Sequence, residues 1–248
     1  MKPRTIAYAA AGLLMTPAAH ADFLGFGAGA ALWQHTPSGS VQYRGDEIDM
    51  RDSGNGLGLD RDRDAMIWAH LEHPVPLLPN VRLMHTSVSN AGSGTLNHSF
   101  GSFNFSEAVD SSMDLRQLDA VLYWELLDNW VELDLGLQVK ALDGEIEVRG
   151  RTSGRQERAE FSGVLPMGYA RAAFHLPLSG FAVELAGAGI SYDGHRLTDL
   201  MAQVSYRSSF GLGVVAGWRE QRLKLDDLDD VTADVTIDGP YAGLFYRF

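Results

Sequence analysis

The 248-residue sequence contains no cysteine. That excludes a disulfide framework, a thiolate zinc centre and a cysteine nucleophile. It also lacks an apolar run long enough to cross a bilayer as a helix; Ile6 to Met15 falls well short of the roughly 20 residues required. Cations are scarce, with 20 Lys and Arg against 32 Asp and Glu and a formal net charge of −12. That sign disfavours a nucleic-acid partner. Gly92, Gly94 and Gly101 form no phosphate loop, because no helix follows them. A hydrophobic fraction of 45% suits a barrel or a soluble periplasmic protein equally, so periodicity has to decide between them.

Both ends carry signals. Lys2 and Arg4 precede the apolar stretch, and Ala19-His20-Ala21 offers a small-x-small cleavage site. Together they predict a signal peptide over residues 1–21, cleaved after Ala21. The mature chain, 22–248, then has 248 − 21 = 227 residues, and losing Lys2 and Arg4 takes the charge from −12 to −14. At the other end Phe248, Tyr246, Leu244 and Ala242 alternate with Arg247, Phe245, Gly243 and Tyr241, as the two faces of a strand do. A terminal aromatic on an uncovered face suits a membrane boundary.

Between the ends, apolar residues recur every second position and not at the helical 3.6. Val131, Leu133, Leu135, Leu137, Val139 and Ala141 oppose Glu132, Asp134, Gly136, Gln138 and Lys140. Leu118 to Leu126 alternates likewise, and Leu127-Asp128-Asn129 joins the two into a hairpin. The same pattern marks Leu24–Leu32, Phe181–Ala188, Leu200–Arg207, Phe210–Arg219 and Ala233–Phe248. It is less regular over 65–72, 81–88 and 159–175. These predict an all-β fold, a transmembrane antiparallel up-and-down β-barrel of about ten strands. Eight strands with extramembrane hairpins, drawn from Thr95 to Phe105, is one alternative, and a soluble periplasmic sandwich is another. Short connections (74–80, 127–129, 177–180, 208–209) alternate with longer ones (36–64, 90–112, 150–158, 193–196, 226–231), and the first two of the longer set are expected to be mobile. Trp124, Trp130, Phe174, Phe181, Tyr206, Phe210, Tyr246 and Phe248 gather beside the short turns as one interfacial girdle, with Trp33 and Trp218 assigned to the opposite one.

With those residues in view, the mature chain resembles small outer-membrane β-barrel proteins of Gram-negative bacteria. It looks most like a functionally uncharacterised family that opens on a Gly-rich strand such as Phe23–Trp33. Tyr241, Gly243, Tyr246 and Phe248 resemble the C-terminal signal read by the outer-membrane barrel assembly machinery. The resemblance implies an outer-membrane location and supplies no catalytic residue.

On the predicted inward faces lie Arg82, Gln117, Asp119, Glu125, Glu132, Asp134, Gln138, Lys140, Arg171, Glu184, Gln203, Arg207, Arg219 and Arg247. Glu132, Asp134, Lys140, Arg171, Arg207 and Arg219 are read as a lumen network of both signs that plugs the barrel, since a narrow barrel can be filled by side chains. A narrow passive channel for small polar solutes or ions is the alternative. His85 and Ser87 share a strand face at the spacing of outer-membrane lipid A deacylases, but no third group orients the histidine, so a non-enzyme is expected. His70 and Glu72 lack the further ligands of a metal site. Asp60-Arg-Asp-Arg-Asp64 lacks the glycine and distant glutamate of a calcium loop. No cofactor or metal is expected. The acidic outward segments, Asp46–Asp64 and Asp226–Asp230, with Arg44, Arg51, Arg61 and Arg63, mark where a partner would bind. Lipopolysaccharide, with or without divalent cations, suits that mixed charge.

Overall fold

The computed structural model describes residues 24–75 and 77–248; the expected signal peptide and its cleavage after Ala21 lie outside them. Thirteen strands follow one another: β1 (Gly25–Tyr43), β2 (Glu47–Asp49), β3 (Asp62–Glu72), β4 (Asn80–Leu96), β5 (Ser99–Phe100), β6 (Phe103–Asn104), β7 (Glu107–Asp128), β8 (Val131–Gly150), β9 (Gln156–His175), β10 (Phe181–Tyr192), β11 (His195–Arg207), β12 (Leu212–Leu228) and β13 (Val231–Arg247). β2 hangs on β1 and β5–β6 is a separate small hairpin; the other ten form one antiparallel sheet in sequence order. β13 returns to pair with β1 from Gly27↔Arg247 to Tyr43↔Val231, closing the ring. That seam is tight. A Cβ on Gly243 would lie 2.2 Å from the Ala30 carbonyl oxygen.

Each long strand carries two opposite patterns. Along β8, Glu132, Asp134, Gln138 and Lys140 point inward while Leu133, Leu135, Leu137 and Val139 point outward. From Leu142 onward the faces exchange: Leu142, Ile146 and Val148 point inward, and Asp143, Glu145, Glu147 and Arg149 outward. β12 does the same, with Arg219 and Gln221 giving way to Leu223 and Leu225 inside, and Trp218 giving way to Glu220, Arg222 and Lys224 outside. The half nearest the short turns is therefore polar inside and apolar outside. The other half is built like a water-soluble protein.

The apolar outer half forms a continuous belt that includes Leu32, Ile67, Leu83, Leu118, Leu137, Leu185, Leu200 and Leu244, all exposed. A belt that encircles the molecule exceeds any patch a soluble monomer exposes. Val131 to Ala141 spans about 33 Å along the strand at ~3.3 Å per residue, which a tilt of about 35–45° brings to about 25 Å, the height of the apolar band of membrane barrels. Trp124, Trp130, Phe174, Phe181, Tyr206, Phe210, Tyr246 and Phe248 are exposed at its short-turn rim. Trp130–Phe174 and Phe181–Tyr206 pair there at 5.4 and 5.0 Å between ring centroids.

Three expectations need correction. Trp33 does not join a girdle: it is 0% exposed, and its Nε1 donates to the Gly239 carbonyl at 3.1 Å inside the barrel. Its odd number already placed it on the face of the strand's glycines. The segment 36–64 is no free loop, because β1 stays paired with β13 to Tyr43. Ile48, Met50, Leu57 and Leu59, carried by the rest of that segment, are buried in the core. Segment 90–112 likewise continues β4 and β7, which pair from Leu96↔Glu107, and the β5–β6 hairpin buries Phe100. The ends of these strands are missed by periodicity because the apolar residues change face at mid-strand.

In detergent the chain should give a β-type circular dichroism spectrum and migrate differently on gels before and after heating. Recovery as a detergent-free soluble monomer would contradict a membrane barrel.

Candidate functional site

The interior contains two charged clusters with an apolar core above them. The central cluster lies where the faces exchange. Lys140 Nζ donates to Gln117 Oε1 at 2.9 Å and reaches Asp119 Oδ1 at 2.7 Å and Asp199 Oδ2 at 3.1 Å. Arg219 clamps Asp199 through Nε and Nη2 at 2.9 and 2.6 Å, a fork that suits a carboxylate. Its Nη1 donates to Thr86 Oγ1 at 2.9 Å, and the guanidinium lies 5.1 Å from the Trp33 ring centroid. Gln117 and Gln221 bond each other across the lumen at 2.9 and 2.8 Å, and Gln138 donates to Asp119 at 2.9 Å. Lys140 and Arg219 thus meet Asp119 and Asp199 in equal number, all of them buried. Buried charges persist only when so paired.

The second cluster faces the short-turn mouth. Arg171 meets Glu132, Asp134 and Glu184 at 2.8, 2.7 and 2.8 Å. Arg247 pairs with Glu72 at 2.9 Å, and the Tyr123 hydroxyl donates to the same carboxylate at 3.0 Å. Of the six residues assigned to a lumen network, Lys140 and Arg219 therefore lie in one cluster and Glu132, Asp134 and Arg171 in the other. Arg207 stands apart, exposed at the mouth, with no side-chain ion pair among the described residues. Sequence reading overlooked Asp199, Gln221 and Thr86. Parity held the signal, since Asp199 continues the face of Met201 and Gln203, and Gln221 that of Arg219.

Tyr241 and Gly243 face inward, the former buried with its hydroxyl on Gln203 Oε1 at 2.7 Å. Tyr246 and Phe248 face outward, and Phe248 packs on Phe26 at 6.2 Å. His85 and Ser87 also face outward on β4, with Ser87 Oγ 3.4 Å from His85 Nε2. Asp64 and Asp114, the nearby carboxylates, bond Ser89 instead. His70 Nε2 is 3.9 Å from Glu72 Oε1. Among the described residues no group of three His, Asp or Glu side chains could hold a metal.

The acidic segments largely fasten the loops to one another. Asp46 accepts from the Ser99 amide and hydroxyl, both at 2.8 Å, and these bonds hold its carboxyl below the ordinary value of 3.8. Glu107 accepts from the amides of Thr152 and Ser153 at 2.6 and 2.9 Å, and is lowered chiefly by Ser153. Arg44 pairs with Asp230 through Nε at 2.8 Å. Asp64 turns into the barrel, where it contacts His35 Nε2 at 3.0 Å.

No protein-family model matches the chain, and no curated protein sequence matches it at a significant level. Among solved structures, Ail, the attachment invasion locus protein of Yersinia pestis, in complex with the heparin analogue sucrose octasulfate, is 13% identical with a TM-score of 0.41, covering 91% of this chain and 99% of its own. The transport unit of the autotransporter AIDA-I from Escherichia coli is 9% identical with a TM-score of 0.42, covering 95% and 94%. A Pseudomonas aeruginosa FadL homologue is 10% identical with a TM-score of 0.37, covering 92% and 90%. Likeness at this level carries no argument about what the chain does.

Lys140→Met should cost about 3–5 kcal/mol, because it leaves Asp119 and Asp199 buried against one cation. Adding Asp119→Leu should recover much of that loss; urea unfolding in micelles measures both. The Asp46 clamp should be complete above 3.8 and be lost as pH falls through the lower value of the folded state. The Ser99 amide resonance should therefore move with a midpoint below 3.8, and should not move in Asp46→Asn. A midpoint at or above the ordinary carboxylate value would contradict the clamp.

Proposed function

We propose that the protein is an integral outer-membrane barrel of a Gram-negative bacterium that acts at the cell surface and does not conduct. Its short turns face the periplasm and its extended strand ends face outward. The carrying observation is the filled interior, where the Lys140–Arg219 cluster is overlaid by the apolar side chains of Leu142, Ile146, Leu223 and Leu225. A solute path would have to break both. Phe248 and Tyr246, exposed at the short-turn rim, support a C-terminal signal for the assembly machinery. The charged outer wall beyond the belt supports contact with lipopolysaccharide, with or without divalent cations. Each exposed ion pair there is screened by water and weak, so several must act together. The chain is read as a non-enzyme, since no carboxylate among the described residues orients His85 as a base for Ser87.

Planar bilayers containing the purified barrel should show no steady conductance steps. Steps that change with Glu132→Ala or Arg219→Ala would establish the channel alternative. Lipid A from cells expressing the chain should keep its full mass. An acyl loss abolished by Ser87→Ala would overturn the non-enzyme reading.

A further inference from the structure

The ring is complete near the short turns and comes apart along one seam at the other end. β9 pairs with β8 along almost its whole length, from Val131↔Phe174 to Arg149↔Gln156. Its other side meets β10 only from Gly168 to His175. β10 and β11 turn back at Asp193-Gly194, so among the described residues no strand lies against the second side of β9 between Gln156 and Met167. Odd-numbered residues of β9 bond β8: the His175 amide donates to Trp130, and Arg155 accepts from Gly150. By the alternation of an antiparallel ladder, the even-numbered groups point into the gap. The Ser162 amide does so, reaching Asp229 Oδ2 at 3.5 Å, the outer limit of a hydrogen bond. Arg158, Glu160 and Val164 share its direction, and Pro166, with no amide hydrogen, ends the row.

Other strands that outrun a neighbour are treated differently. β1 leaves β3 at His35 and is covered by β2 from Ser40 to Gln42. β4 leaves β3 at Thr86, yet its free side is occupied by the chain itself. Asp64 takes the Ser89 amide at 2.6 Å, Ser53 the Thr95 amide at 2.9 Å, and the Ala91 carbonyl accepts from Asp60 at 3.0 Å. An uncovered edge is a template for another strand, and proteins ordinarily blunt it. Here the edges of β1 and β4 are blunted and that of β9 is left bare.

We propose that Arg158–Val164 of β9 is a strand-addition site, which takes an extended segment of another polypeptide through main-chain hydrogen bonds. A second copy in the same membrane does not fit. Barrel strands tilt by about 35–45°, so two β9 edges related by rotation about the membrane normal would cross at roughly twice that angle and form no ladder. The free outer face presents Arg158 and Glu160 in turn, favouring an acidic residue across from the first and a basic one across from the second. Arg158 already accepts such partners from β8, meeting Glu145 and Glu147 at 3.1 and 2.7 Å. The inference rests on the surface-interaction reading only for where the added strand comes from; the bare edge belongs to the fold.

Residue-resolved amide exchange on the whole barrel in lipid nanodiscs tests it. The amides of Arg158, Glu160 and Val164 should exchange about 100-fold faster than those of Ala159, Phe161 and Gly163. A synthetic strand peptide with Val at alternate positions, Glu placed across from Arg158 and Lys across from Glu160, should slow the first set by about tenfold. Glu160→Pro removes an edge amide without touching the β8 ladder and should abolish that effect. A fully N-methylated copy of the peptide, applied to the unaltered protein, should have none. Equal protection of odd and even amides without peptide, no response to the peptide, or an equal response to the N-methylated copy would each overturn the proposal. Conductance or lipid A modification would sink the reading above and leave these results unchanged.

Discussion

The pairing of β13 with β1 is the constraint on which the rest depends. A bilayer offers no water to an unpaired amide, so a sheet can cross it only if its first and last strands meet. Here they meet from Gly27↔Arg247 to Tyr43↔Val231, well beyond the stretch that lipid surrounds. Small residues make that approach possible, Gly243 lying directly against the Ala30 carbonyl. Once the ring is shut, every side chain must face lipid, water or the lumen, and alternation along each strand distributes them.

The exchange of faces at mid-strand follows. Inside the belt the lumen holds the polar residues, because lipid takes the apolar ones. Beyond it, water takes the polar residues and the lumen becomes an ordinary hydrophobic core. The Lys140–Arg219 cluster occupies the boundary between the two regimes, joining β4, β7, β8, β11 and β12 across the lumen. Lys140 is one of only three lysines in the chain. Its compact ammonium can reach Gln117, Asp119 and Asp199 together, which a planar guanidinium would do less readily.

The lipid-facing half was legible in the sequence because one uninterrupted dyad governs it: Leu133 to Ala141 on β8, and the terminal run to Phe248, lie where alternation places them. The outer half was not legible. Once Leu142 turns inward and Asp143 outward, the outward aliphatic face of β8 ends although the strand continues to Gly150. Ile48, Leu57 and Leu59 sit among glycines and aspartates, where local pattern says loop and only tertiary contact says core. The candidate site divides in the same way. Parity found Lys140, Asp119 and Arg219 as inward residues, but not that Asp199 and Thr86 would converge on Arg219, since facing staves of a barrel share no sequence spacing.

The exchange of faces around a sealed interior is the central claim, and the absence of native cysteine makes it directly measurable. Single cysteines at Val139, Leu142 and Asp143 would each be the sole thiol in the folded barrel. Asp143→Cys should react rapidly with a water-soluble thiol reagent, and Val139→Cys only with a membrane-partitioning one. Leu142→Cys should react with neither until the barrel is unfolded. Reaction of Leu142→Cys in the folded barrel at the rate of Asp143→Cys would mean a wet lumen, and would contradict the sealed interior.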